Sequence, residues 1–170
     1  MRPVSQTSPV CLLWRAFMGQ TCARSWRVAK VGVAVPLDAE RRARVFRNAR
    51  VPAAIKRIVD GDTVEAVTRA SPNEEFAAYI VRLHGCDAPE TRSKNPAERV
   101  AAQRATAFLA SLLPTGTQCT LLCAPTEDKY GRLLADVFVS DALPSVSAAL
   151  IAAGHAVPYK GGKKMAFVEE

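Results

Sequence analysis

The stretch NPAERVAAQRATAFLASLLPTG, Asn95–Gly116, carries a whole helix together with its start and stop signals. Asn95 suits an N-cap, Pro96 suits the first helical position, Glu98 stands where a capping box places its acid, and Pro114 and Gly116 close the segment. The apolar residues at 97, 101, 105, 108, 109 and 112 fall on one stripe, with Arg99, Gln103 and Arg104 left to face water. A helix with one apolar stripe must pack on something apolar, so its neighbours in the chain decide the architecture.

On the N-terminal side, AAIKRIV and TVEAVT are short β-prone runs joined by Asp60-Gly61. Asp-Gly between such runs predicts a hairpin over 53–69, the glycine accepting a positive φ. After the polar loop SPNEE, the run FAAYIVRLHG alternates as a third strand, with Tyr79, Val81 and Leu83 on the core face and Ile80, Arg82 and His84 on the other. On the C-terminal side, TQCTLLC and LLADVFV read as two more strands and SVSAALIAAG as a second helix closed by Gly154. Residues 38–50, DAERRARVFRNAR, read as helical or linker-like. Five short strands with a helix between the third and fourth follow the order of an OB-fold. The expected class is therefore mainly β (α+β): a five-stranded OB-fold barrel with two or three helices.

Charge divides the chain more sharply than periodicity does. Residues 1–50 carry ten Lys/Arg against two acids, whereas residues 51–170 carry thirteen against fourteen, so the formal +7 belongs to the N-terminal end. The expected organisation is a basic extension over 1–50, a globular domain over 51–165 and a short tail over 166–170. No acid precedes Asp38, and Arg2, Arg15, Arg24, Arg27 and Lys30 alternate with Leu12, Leu13, Trp14, Phe17 and Met18. That pattern fits an organellar, mitochondrial transit peptide; a disordered basic extension on a cytoplasmic protein is the plain alternative, and a secretory signal fits less well because Arg15 interrupts the apolar run. No run approaches the roughly 20 apolar residues of a membrane span. The five cysteines are odd in number and form no Cys-x-x-Cys pair, and with only two histidines neither a disulfide framework nor a zinc site is indicated.

The chemistry lies in three short segments. In VDGDTV, Asp60 and Asp62 flank a tight turn, and in RLHGCDAPE, Asp87 stands where the third strand should end. Three carboxylates at one rim repel unless a cation sits between them, and a hard oxygen-seeking ion such as Ca²⁺ or Mg²⁺ is the natural one. By itself DGDT is also an ordinary solvated turn. Arg82 and Asp87 are five apart and would face opposite ways in a regular strand, so bringing them together needs a break, which Gly85 and Pro89 supply. Glu90 can then position or deprotonate a water without ligating the metal. In EDKYGR, Arg132 is either a surface charge or a second guanidinium for a phosphodiester gathering negative charge under attack. Tyr130 and Tyr159 can stack on bases or sugars and Lys129 can meet a neighbouring phosphate.

Residues from about 53 to 164 resemble the staphylococcal nuclease (thermonuclease-like) family, on VDGDTV, VRLHGCDAPET, DKYGRLLADVFV and AAGHAVPYKGGKK in family order. The resemblance implies an OB-fold barrel and a Ca²⁺-dependent endonuclease acting on DNA and RNA with little sequence specificity, leaving 3′-phosphates. Carried over by motif, Asp62, Asp87 and the Ala88 carbonyl would ligate calcium with Asp60 in support. Glu90 would be the general base, Arg82 and Arg132 the phosphate-binding arginines, and Lys129, Tyr130 and Tyr159 the substrate contacts. Ala88 replaces the family's usual threonine, a change that a carbonyl ligand survives. The PYxGGK ending makes the Tyr159 match looser, and the stop at Glu170 leads to the expectation of a reduced or absent third helix. The expected protein is a monomer; a basic groove of Lys129, Arg132, Lys160, Lys163 and Lys164 would compensate for its near-neutral domain. The alternative is a catalytically silent OB-fold module that binds nucleic acid or protein; the presence of Arg82, Glu90 and Arg132 together argues against it.

Overall fold

Alternation of side chains builds the barrel wall. In the computed structural model, which describes residues 37–69 and 75–161, strand β3 (Ala77–Leu83) buries Ala77, Tyr79, Val81 and Leu83 and turns Ala78, Ile80 and Arg82 outward. Strands β1 (Arg50–Asp60) and β2 (Thr63–Thr68) form the expected hairpin, with Asp60 opposite Thr63. β4 is the two-residue Cys86–Asp87, helix α2 is Pro96–Leu112, and β5 (Gln118–Cys123) and β6 (Leu133–Phe138) follow it. Helix α3 (Val146–Ala152) and β7 (Val157–Pro158) complete the C-terminal side, and helix α1 (Ala39–Phe46) precedes the barrel.

The barrel closes in the order β1-β2-β3-β6-β5. β1 spans eleven residues, pairing through Arg50–Ala54 with β5 and through Ala53–Asp60 with β2. Register irregularities at Ile55/Arg57 and Ile58/Asp60 bend it, and extra twist of this kind lets one strand serve two neighbours around a small barrel. β6 runs antiparallel to β5 but parallel to β3, with Val81 opposite Leu133 and Arg82 opposite Leu134. This one parallel contact places the segment entering β6 beside the outward face of β3.

The core is aliphatic, with Ile55, Val64, Val81, Leu83, Leu109, Leu121, Val137 and Leu150 buried. Helix α2 buries Ala102, Ala105, Leu109 and Leu112 against it, while Ala97, expected on the stripe, is exposed in the first turn. Cys86, Cys119 and Cys123 are buried free thiols, and burial pushes the last two up to about 12 and about 11, so they stay protonated fillers. Residues 38–50 prove to be packed: Asp38 Oδ1 caps α1 by accepting the Arg41 N–H at 2.8 Å, and Phe46, 2% exposed, meets Tyr79 edge-on with ring centroids 5.1 Å apart.

Gly61 sits where the hairpin was expected, for a different reason. Its φ is not in the positive range; instead a Cβ there would lie 2.8 Å from Ala88 Cβ and 3.0 Å from Ala105 Cβ. The glycine lets α2 and the Ala88 segment close onto the turn. Among the described residues no helix is long and apolar enough to cross a membrane. The basic leader, apart from its last residues, and Lys163 and Lys164 lie outside the described residues.

Candidate functional site

Gly85 supplies the break that the spacing of Arg82 and Asp87 demands. Its φ of +76° turns the chain out of β3, and the Tyr159 N–H donates to its carbonyl at 3.0 Å, while β4 pairs with β7. Asp87 thereby comes back to Arg82, whose Nη2 donates to Asp87 Oδ1 at 2.7 Å. From the hairpin turn Asp62 meets the same guanidinium, with Oδ2 2.5 Å from Arg82 Nη1. Nη1 is buried without a well-aligned hydrogen bond, so that contact is ionic. The Ala88 N–H donates to Asp62 Oδ2 at 2.7 Å and fastens the β4 segment to the turn.

Asp62 and Asp87 are 7% and 2% exposed. Burial, against the opposing pull of Arg82 and the Ala88 hydrogen bond and with help from neighbouring Asp60, pushes the Asp62 carboxyl up to about 6. Asp60 does not complete a three-carboxylate cluster. Its Oδ1 accepts the Asp62 N–H at 3.1 Å, and among the described residues no three His, Cys, Asp or Glu side chains gather as a metal-holding group. What remains is two buried carboxylates on one guanidinium, with a third acid adjoining: more negative charge than Arg82 offsets.

Arg132 enters from the parallel side, one residue before Leu133. Asp128 holds it, accepting from Nε at 2.6 Å and lying 2.5 Å from Nη2, and also accepts the Arg132 and Tyr130 N–H groups. Burial works against ionisation of Asp128, but these hydrogen bonds outweigh it and hold the carboxyl below its usual range. Arg132 Nη1 donates to Thr63 Oγ1 at 3.3 Å, and that hydroxyl lies 3.2 Å from Asp62 Oδ1. Thr63 stands opposite Arg82 across the β2–β3 ladder, so a continuous chain of polar contacts runs Arg132, Thr63, Asp62, Arg82, Asp87. Thr63 and Asp128 were not singled out from the sequence, although both lie inside the quoted motifs.

The remaining candidates lie on segments that adjoin these residues in the chain or are bonded to them. Tyr130 is 71% exposed, with Lys129 Nζ 4.8 Å and the Arg132 guanidinium carbon 5.4 Å from its ring centroid. Glu90 is exposed two residues beyond Ala88, where its N–H donates to Glu98 Oε1 at 3.3 Å. Tyr159 is half-buried beside Gly85, and Lys160 is exposed.

A closed five-stranded barrel with a helix between its third strand and its last two defines an OB-fold module, here with two buried aspartates and two arginines linked through Thr63. The sequence model of the staphylococcal nuclease homologue family matches residues 80–169, and the chain belongs to that family. The match takes in Arg82, Asp87, Glu90 and Arg132, while Asp60 and Asp62 on the β1–β2 hairpin lie upstream of it. None of the curated proteins matches the chain.

Proposed function

We propose that this chain is a Ca²⁺-dependent endonuclease that hydrolyses phosphodiester bonds of DNA and RNA with little sequence specificity. The observation that carries the reading is the Arg82 guanidinium between Asp62 and Asp87, linked through Thr63 to a second, separately held arginine. A protein-binding barrel has no need of one guanidinium held between two buried carboxylates and a second linked to them through Thr63.

The donor set fits a hard divalent cation. Asp62, Asp87 and the Ala88 carbonyl are oxygen donors, and the two buried carboxylates, with Asp60 adjoining, carry more negative charge than the one Arg82 guanidinium offsets. Held there, the ion would supply positive charge against a phosphate oxygen. Arg82 and Arg132 would bind the equatorial oxygens as charge builds on them, Arg132 kept in orientation by Asp128. Glu90 would take the proton of the attacking water as its oxygen bonds to phosphorus; the P–O5′ bond breaks, the 5′ oxygen takes a proton from solvent to leave as a hydroxyl, and a 3′-phosphate remains. Lys129 and Tyr130 would receive the neighbouring nucleotide. The basic N-terminal segment is assigned by the same proposal to organellar targeting.

The test is cleavage of plasmid DNA, single-stranded DNA and RNA by the full chain in Ca²⁺, Mg²⁺ or EDTA, beside Glu90→Gln and Arg132→Ala. Ca²⁺-dependent cutting that each variant lowers by roughly 100-fold or more is expected, the scale of removing a general base or one transition-state donor. A folded chain that binds these nucleic acids and cuts none of them would make the domain a silent binding module.

A further inference from the structure

We infer that Arg42, on a helix outside the family-matched residues, is a positioning residue for Arg132, so that α1 is a working part of the site. The inference rests on the nuclease reading above for its catalytic consequence, and on bonds within the chain for its geometry.

Arg42 makes a fork onto the loop that carries Arg132. Its Nε donates to Glu127 Oε1 at 2.9 Å and its Nη2 to Glu127 Oε2 at 3.4 Å, while Nη2 also donates to the Gly131 carbonyl at 3.1 Å. The third nitrogen, Nη1, donates to the Leu37 carbonyl at 2.9 Å, which ties the start of α1 to the same side chain. One guanidinium thus grips both ends of the segment 127–131. Both charged partners are mostly buried, at 19% and 16% side-chain exposure, where water and salt screen the pair less than at the open surface.

The grip is anchored from behind. Phe46, one helical turn after Arg42, is sunk in the barrel core against Tyr79, so α1 cannot slide without withdrawing an aromatic ring. In front, the gripped segment is short and closed on itself. The Gly131 N–H donates to the Asp128 carbonyl at 3.0 Å and the Asp128 N–H to the Arg132 carbonyl at 3.1 Å. Asp128 is the residue that orients the Arg132 guanidinium. Fixing Glu127 and Gly131 fixes Asp128 between them, and Asp128 aims Arg132. A loop fastened only by Asp128 would turn as a unit and carry Arg132 with it.

The experiment uses the full chain and the variants Arg42→Ala, Arg42→Lys, Glu127→Gln and the exchange pair Arg42→Glu with Glu127→Arg, beside Arg132→Ala. Two quantities are read: kcat and KM for a single-stranded DNA oligonucleotide in Ca²⁺, and amide hydrogen exchange by peptide segment. Arg42→Ala should lower kcat about 10-fold with KM changed less than about 2-fold, the effect expected of a lost charged hydrogen bond that matters in the transition state. Arg42→Lys, a point charge without a fork, should recover only part of this, and the exchange pair should keep more activity than Arg42→Ala or Glu127→Gln, each of which leaves one partner without its fork. Exchange at 127–132 should quicken about 10-fold in Arg42→Ala while β2 and β3 keep their protection.

Equal quickening in the loop and the barrel would reduce Arg42 to a stabiliser of the fold and overturn the proposal. So would a kcat within about 2-fold of the parent when Arg132→Ala falls by about 100-fold. A parent chain that cuts nothing, with loop-confined quickening in Arg42→Ala, would overturn the nuclease reading and the catalytic half of this one, and leave the clamp itself upheld.

Discussion

Asp62 is the residue at which the site's electrostatics become a property of the whole protein. Its carboxyl titrates near 3.8 when unfolded and is pushed to about 6 when folded, chiefly by burial. The folded state therefore binds the proton more tightly, and the stability this contributes is full below about 3.8 and is lost as pH rises through about 6. The loss amounts to up to about 3 kcal/mol for such a displacement. His155 works the other way: burial, with Arg104 beside it, lowers its pKa, so its contribution is lost as pH falls. The quantity to measure is thus the difference in unfolding free energy between the parent and Asp62→Asn in EDTA. That difference should shift against the parent as pH rises from about 4.5 to 6.5, and Ca²⁺ should flatten the trend by binding the ionised form. A flat difference in EDTA would mean that Asp62 keeps an ordinary pKa.

At the level of elements, the first turn of α2 does more than start a helix. Asn95 Oδ1 caps it by accepting the Ala97 N–H at 3.0 Å, and Pro96 stands at the first position, both as the sequence indicates. Glu98 departs from the capping box. The Asn95 N–H donates to Ser93 Oγ at 3.1 Å, and the Glu98 carboxylate takes the Ser93 hydroxyl and the Glu90 N–H. The helix thereby holds the loop that carries the proposed base. Glu98→Ala should lower kcat about 3- to 10-fold with a stability loss of no more than about 1 kcal/mol, measured by cleavage beside chemical denaturation. Loss of stability without loss of rate would return Glu98 to a purely structural role. The contrast shows what local pattern can carry. Strands, caps and the break at Gly85 are written in spacings of a few residues, and so were legible. The role of Thr63 arises where β6 comes to lie parallel beside β3, a contact between distant segments with no local signature, whereas Asp128, four residues before Arg132, holds it within one short loop. Gly61 was placed correctly but explained by its backbone, because nothing in the hairpin sequence reveals that Ala88 and Ala105 will crowd it.

For the molecule as a whole, the boundary between leader and domain follows from Phe46. Composition assigns residues 1–50 to one basic extension, since a single buried phenylalanine is inconspicuous among arginines; the packing of residues 37–46 leads us to propose a boundary further upstream. Leu37 packs on the core, Asp38 caps α1, Arg42 grips the 127–131 loop and Phe46 fills the barrel's interior. Truncating a buried phenylalanine costs about 3–5 kcal/mol, comparable with the roughly 5–15 kcal/mol that holds a typical domain together. A chain beginning at Leu37 should therefore keep the melting transition of its parent, whereas one beginning at Val51 should be largely unfolded at 37 °C or melt far lower. Circular dichroism melts of the two chains decide between these outcomes. The same argument constrains targeting. If an organelle imports the chain and removes a presequence, the cut must fall before Asp38, because one made later discards the cap, the clamp or the core residue. N-terminal sequencing of the chain recovered from mitochondria should place the first residue at or upstream of position 38. A terminus between 47 and 51 on a folded, active protein would show that α1 is dispensable and that the sequence-based boundary was the right one.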